Sequence, residues 1–230
     1  MQLTEQLSWY PWQGRANNCN TIVLKGEKTI LFDPGHIKNE VGENCLEMLT
    51  GQMADDGLSI KDVDLILCTH GHPDHIESVG LIRDESGARL GLHKEDQFFA
   101  DMIMEHFTKQ TGQERSSLVP DFYLDEGELD SDSANSQSDR IKVLHTPGHS
   151  PGCVCFYLPE QKALISGDTV FEGSIGRADL PGGSMESLGQ SVEKLSRLEN
   201  VELFLPGHMG YISGAARVKD NLDKIKDFFF

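Results

Sequence analysis

The run VDLILCTH (63–70) is apolar almost throughout, leans toward branched aliphatic side chains and stops on a histidine. Such a run reads as a strand buried on both faces and ending at a functional edge. The next residues narrow the options further. GHPDH continues without a break, so His70, His72, Asp74 and His75 fall within six residues just past the strand end. A loop there can turn all four side chains toward a common centre, as a helix or strand could not. Imidazole nitrogens and carboxylate oxygens are the donors that borderline divalent metals take at about 2.0–2.2 Å. Solvated turn residues are a poor explanation for three histidines and an aspartate at this spacing.

The remainder of the chain supplies strands and helices in alternation. NTIVLKG and KTILFDPG read as a hairpin turning at GEK. Val41, Cys45, Met48, Leu49 and Met53 recur at helical spacing over 41–55. GARLGLH reads as a strand, and residues 94–110 form the clearest amphipathic helix. The polar stretch SDSANSQSD between Asp130 and Arg140 predicts a mobile surface loop. Strands resume with RIKVLHTPG, GCVCFYL and KALISGDTVF. A Gly-rich loop (173–183), a helix near 184–198, the strand VELFLPGH and a final helix from about Gly214 complete the chain. The second half repeats the plan of the first, suggesting two sheets with helices outside, an α/β layered fold. A chain of 230 residues fits one large domain, 1–230.

Composition excludes several classes of function. The net charge is −17 without clustered Lys and Arg, which disfavours binding to nucleic acid, where phosphate neutralisation supplies much of the affinity. No stretch approaches the roughly 20 apolar residues of a membrane helix. The start, MQLTEQLSWYPWQGR, lacks the pattern of a secretory signal, so a cytoplasmic location is expected. The five cysteines (Cys19, Cys45, Cys68, Cys153, Cys155) are odd in number and include no CxxC, unlike a disulfide framework. Cys153 and Cys155 share one face of a strand and read as small buried apolar side chains.

Further ligand-type residues stand in places like that of His70. His149 follows TPG, Asp168 follows ISG and His208 follows LPG, each beside a predicted strand. His36, His93 and His106 are expected to be hydrogen-bonded structural histidines. His145, four residues before His149, is expected to be structural or to back up a ligand. Asp33, before Pro34-Gly35, is either a carboxylate supporting the cluster from behind or a simple turn residue.

THGHPDH followed by TPGHS, SGDT and PGH in that order resembles the metallo-β-lactamase fold superfamily, from NCNTIVL and LFDPG to LPGHMG near the end. The resemblance implies a four-layer αββα sandwich with metals at one edge. It also implies a ligand set: His70, His72 and His149 on one metal, Asp74, His75 and His208 on the other, and Asp168 bridging. Asp74 and Asp168 would be the catalytic carboxylates, and Asp33 would support the site. Two divalent ions are therefore expected as cofactors, most simply zinc, with iron or manganese as alternatives. Two such ions, two aspartates and one hydroxide leave a local charge of about +1. Metals lower the pKa of bound water to about 7, which supplies a nucleophile for attack on an acyl carbonyl. No GxSxG, Cys-His or Walker A pattern competes with it.

The loop GSIGRADLPGG (173–183) resembles that of hydroxyacylglutathione hydrolases (glyoxalase II), particularly the short bacterial forms, which implies hydrolysis of a thioester such as S-lactoylglutathione. Arg177 is then a candidate for the substrate carboxylate, or it orders its own loop by contact with Asp179 or the backbone. Longer members of that family carry a basic C-terminal helical extension for glutathione. This chain reaches DKIKDFFF soon after His208, so the extension is expected to be absent and the acyl carrier stays open. HTPGHSPGCVCFYL with GRAD also resembles persulfide dioxygenases, where a single iron would use His70, His149 and Asp168. A nuclease of the superfamily is disfavoured by the acidic charge, and a periplasmic β-lactamase by the lack of a signal. The expected partner is a small-molecule substrate, with neither nucleic acid nor membrane. Oligomeric state is unreadable, although Phe228, Phe229 and Phe230 could pack on the chain or against a partner.

Overall fold

The computed structural model describes residues 1–111, 118–129 and 140–230, the last two of the first stretch by backbone alone. The chain divides into two compact units, Met1–Tyr123 and Leu124–Phe230. The expected polar loop SDSANSQSD lies outside the described residues.

In the first unit, aliphatic and β-branched residues build an antiparallel ribbon of Leu7–Tyr10 (β1), Thr21–Lys25 (β2) and Thr29–Phe32 (β3). The GEK turn brings Lys25 opposite Thr29. Pairing then becomes parallel: Leu65–Leu67 (β4) joins β3, Arg89–Leu92 (β5) joins β4, and Phe122–Tyr123 (β6) joins β5. Parallel neighbours need crossovers. These carry the helices Cys45–Asp55 (α1), Pro73–Ile76 (α2), Val79–Ser86 (α3) and Gln97–Thr111 (α4). Val23, Leu31, Ile66 and Leu90 on one face of the sheet pack with Leu49 and Met53 of α1, Val79 and Ile82 of α3 and Ala100 of α4. Their alternate neighbours Ile22, Leu24, Ile30, Phe32 and Leu65 are buried too. The strands are therefore covered on both faces, as VDLILCTH implied, although its ladder is only three residues long.

The second unit repeats the plan. Gly127–Glu128 (β7), Lys142–His145 (β8), Val154–Leu158 (β9) and Ala163–Gly167 (β10) are antiparallel in succession. Val170–Phe171 (β11) and Ser174–Ile175 (β12) form a separate hairpin. After Met185–Ser196 (α5), Leu203–Pro206 (β13) returns parallel to β10, followed by Ile212–Ser213 (β14) and Ala215–Phe229 (α6). Leu144, Cys155, Leu164 and Phe204 of the sheet pack with Val192 and Leu195 of α5 and Val218, Leu222 and Ile225 of α6. The α/β class read from the sequence is the class observed.

Three local expectations need correction. The first helix starts at Cys45 rather than near 41, leaving Val41 58% exposed. Asn39 is the reason. Its side-chain oxygen accepts from the backbone N–H of Val41 at 3.2 Å and of Glu43 at 2.9 Å, an Asx-type turn that competes with helix. Part of the Gly-rich stretch 173–183 is strand, because Gly173, at φ 70°, closes the β11–β12 turn. The helix expected over 94–110 opens with a 3-10 turn, Lys94–Asp96, capped by His93, whose Nδ1 accepts from the N–H of Glu95 at 3.3 Å.

His36 is a hydrogen-bonded structural residue, with Nδ1 2.8 Å from Glu77 Oε2. His145 Nε2 meets the Pro151 carbonyl at 3.0 Å. His106, expected in a core, is instead exposed on α4. All five cysteines are free and buried. Cys155 belongs to the second core, while Cys153 Sγ lies 3.1 Å from Ser150 Oγ.

Candidate metal-binding residues

In the first unit the parallel pair β3–β4 ends in register, Phe32 opposite Leu67, so Asp33 and the segment 68–70 leave the sheet side by side. Asp33 is buried and held at φ 49°, a left-handed conformation that Asp tolerates better than most residues. Its carbonyl accepts from Thr21 Oγ1 at 2.7 Å, and its carboxylate accepts from the Thr69 N–H and Thr69 Oγ1, both at 2.7 Å. The same Oδ2 stands 3.0 Å from His75 Nδ1.

These contacts fix a tautomer. The Thr69 hydroxyl donates to Asp33, so at 3.1 Å it can only accept from His70 Nδ1. Asp33 Oδ2 also lies 3.0 Å from His75 Nδ1. His70 is left with the Nε2 lone pair to offer, the arrangement that a ligating histidine supported from behind adopts. Asp33 thus supports the cluster and shapes a turn at once.

The loop itself is pinned from α4's side. Asp96, fully buried, accepts the Gly71 N–H at 2.8 Å. A Cβ at Gly71 would fall 2.8 Å from the Asp96 carbonyl, so only glycine admits this approach. His72 occupies the N-cap of α2, Pro73 its first turn, and His75 its last turn. The ring of His70 lies 4.8 Å from that of His72 and 4.0 Å from that of His75. His72 and Asp74 are half-buried, while His70 and His75 are buried. Asn17 Nδ2 donates to Asp74 Oδ2 at 2.7 Å.

In the second unit the parallel pair β10–β13 plays the same part, with Gly167 opposite Pro206. It delivers Asp168 and His208 to neighbouring positions, His208 Nε2 standing 3.3 Å from Asp168 Oδ2. His149 Nε2 approaches the same oxygen at 3.6 Å. The other nitrogen of His149 meets the Arg177 carbonyl at 2.7 Å; a carbonyl only accepts, so Nδ1 carries the proton and Nε2 offers its lone pair. Two ligands about 2.1 Å from a tetrahedral metal are about 3.4 Å apart. Asp168 Oδ2 lies near that distance from two imidazole nitrogens, a spacing compatible with metal ligation. The donor set, imidazole with carboxylate and no thiolate, fits zinc, iron or manganese.

The Arg177 guanidinium is committed elsewhere. It forms a two-pronged pair with Asp179, Nε to Oδ1 at 2.9 Å and an Nη to Oδ2 at 3.0 Å, exposed on both sides. That pairing raises the Arg177 pKa and lowers that of Asp179. What Arg177 brings to the ligands is its backbone oxygen. Thr69 and Asp96 were the residues that sequence reasoning missed. A threonine before a histidine carries no signal of its own, and Asp96 stands among charged helix-start residues.

An α/β chain with imidazoles at the strand ends of both units, supported by Asp33 and Thr69 in the first and by the Arg177 carbonyl in the second, carries a metal-ligand type of donor set. Residues 14–208 match the profile of the Metallo-beta-lactamase superfamily, and the chain belongs to that superfamily. It has the metallo-β-lactamase fold, and each unit holds a sheet with helices packed on one face. The hydroxyacylglutathione hydrolase GloC of Haemophilus influenzae is 30% identical over 207 residues, covering 89% of this chain and 91% of that one. The B3 metallo-beta-lactamase BLEG-1 superposes with a TM-score of 0.71 at 29% identity, over 95% of this chain and 99% of that one. TTHA1623 in a di-iron-bound form superposes with a TM-score of 0.68 at 30% identity, over 89% and 94% of the two chains. Among the described residues no helix is long and apolar enough to cross a membrane.

Proposed function

We propose that the chain is a cytoplasmic binuclear metallohydrolase acting on a small-molecule thioester, with S-lactoylglutathione the first substrate to test. In this reading His70, His72 and His149 would hold one ion and Asp74, His75 and His208 the other, with Asp168 as a ligand common to both. The observation that carries it is Asp168 Oδ2 at 3.3 and 3.6 Å from the Nε2 atoms of His208 and His149. GloC, a hydrolase by name, supports the thioester reading, and the di-iron form of TTHA1623 supports two ions.

Bound there, the ions would supply an acidified water and a Lewis acid for the developing oxyanion. The chain's own residues set the geometry. Thr69, itself held by Asp33, and the Arg177 carbonyl keep the protons of His70 and His149 on Nδ1, with Nε2 presented, and Asp33 Oδ2 stands 3.0 Å from His75 Nδ1. Asn17 donates to Asp74 Oδ2 and so helps fix a carboxylate that would orient the attacking water and take its proton. The family match runs through both units, which supports treating 1–230 as one functional domain.

Metal analysis of protein purified without added metal, combined with turnover assays, tests the reading. Two divalent ions per chain and hydrolysis of S-lactoylglutathione are expected. One iron per chain with O₂ consumption on glutathione persulfide would instead identify a dioxygenase. Turnover of a β-lactam with none of a thioester would move the chain to the lactamases.

A further inference from the structure

We propose that Thr146 and Thr169, joined hydroxyl to hydroxyl beside the Cys155 thiol, are positioning residues that set His149 and Asp168 at ligand spacing. The proposal rests on reading those two residues as metal ligands, as above. The sheet alone does not fix that spacing. β8 and β10, which lead to His149 and Asp168, are not neighbours, because β9 lies between them. Their ladders to β9 end at His145, opposite Val154, and at Ile165, opposite Phe156. Beyond those pairs no ladder joins the segment 146–150 to the segment 168–169.

A pair of hydroxyls does. Thr146 follows the last residue of β8, Thr169 follows Asp168, and their Oγ1 atoms meet at 3.0 Å. From β9, Cys155 Sγ stands 3.3 Å from Thr146 Oγ1 and 3.6 Å from Thr169 Oγ1. All three side chains are buried. Each group has one proton to give and can accept another, so three donors and three contacts close a ring. The thiol can also donate to the Ser166 carbonyl at 3.5 Å, which leaves the hydroxyl bridge itself intact. Neither threonine can turn away without stranding a polar group out of reach of water.

The segments that the bridge joins are themselves braced. The Thr146 N–H donates to the Cys153 carbonyl at 2.8 Å, and the Thr169 N–H to the Ser166 carbonyl at 3.1 Å. Ser191 Oγ, from α5, donates to the Pro147 carbonyl at 2.7 Å. His149 lies three residues beyond Thr146, and Asp168 is the residue before Thr169. Their side chains come together, Nε2 to Oδ2, at 3.6 Å. A shift at the bridge is therefore passed to that distance over three residues on one side and one on the other.

Zinc affinity, measured on metal-free protein by competition with a chromogenic chelator, tests the bridge without any substrate. Thr146→Val/Thr169→Val removes both hydroxyls at nearly constant shape and strands no partner, since the thiol keeps the Ser166 carbonyl. Its zinc affinity should fall about 10-fold or more, as when a ligand loses its support. Thr146→Ser/Thr169→Ser keeps both hydroxyls and should bind zinc as the wild type does. Denaturant unfolding shows that each variant is folded. If the valine pair does not fold, Thr169→Ala, which opens the bridge and leaves Thr146 with the thiol, is read in its place. Wild-type affinity in the hydroxyl-free variant overturns the bridge. So does a loss shared by the serine pair, which would assign the effect to packing, and so does a wild type that binds no zinc. Hydrolysis of S-lactoylglutathione is read separately: its absence beside hydroxyl-dependent zinc affinity defeats the reaction and leaves the bridge standing.

Discussion

Asp33 coordinates nothing in the proposed centre, yet two of the ligand histidines depend on it. One carboxylate accepts from the Thr69 N–H and from its hydroxyl, whose oxygen in turn accepts from His70 Nδ1, and it faces His75 Nδ1 directly. Replacing Asp33 with Ala should weaken metal binding by about 10- to 100-fold, the usual cost of losing such support. Competition with a chromogenic chelator measures it, and an unchanged affinity would show that the histidines orient themselves. Arg177→Ala should behave differently. Its guanidinium serves Asp179 and its carbonyl survives the change, so metal content should be retained and KM should move by less than tenfold. A loss of turnover with metal still bound would return Arg177 to substrate recognition. His72→Ala and Asp168→Ala should each abolish hydrolysis in a binuclear centre. Full activity of His72→Ala would count against two ions.

At the scale of elements, one side chain of α6 anchors both ends of the β11–β12 turn. Asn221 of α6 accepts the Gly173 N–H at 2.8 Å and donates to the Phe171 carbonyl at 3.1 Å, while Phe171 faces the ring of His208 at 5.9 Å. Asn221→Ala should cost about 1–3 kcal/mol, the penalty for stranding buried backbone groups, read as a lowered denaturation midpoint. The sequence revealed elements wherever one signal dominated. GEK between two β-branched runs could only be a hairpin, and the ligand types stood out because His and Asp at a strand end have few structural uses. It failed where a polar side chain bonded to nearby backbone. Asn39 displaced the start of α1 in this way, and Asn221 anchors a hairpin 50 residues away along the chain, beyond any local pattern. Thr69 and Asp96 were hidden for the same reason: their roles are defined by what they touch.

For the molecule as a whole, two conditions should govern stability. Removing bound metal with a chelator should lower the unfolding temperature, because an ion bound only by the folded state stabilises it in proportion to the logarithm of its saturation. An unchanged transition would show that the ligands hold no metal that matters to folding. Alkaline pH should act independently. Burial, above all, pushes the Cys45 thiol up from 9.0 to about 11, and it raises the Cys68 thiol as well. Above pH 9 the unfolded chain ionises Cys45 while the folded chain keeps it neutral, so stability should decline as pH rises toward 11. Denaturant titrations across that window check the sign, and Cys45→Ala should flatten the decline.

The two units are contiguous in sequence, and all six strands of the first are complete at Tyr123. During synthesis that sheet can close while the residues of the second unit are still inside the ribosome. A nascent chain then exposes His70, His72, Asp74 and His75 before His149, Asp168 and His208 have emerged. In the proposed centre no ion finds its full set of donors until translation has passed His208. Metal loading would therefore be a late event in the life of the chain, and the half-made protein a weak and unselective chelator.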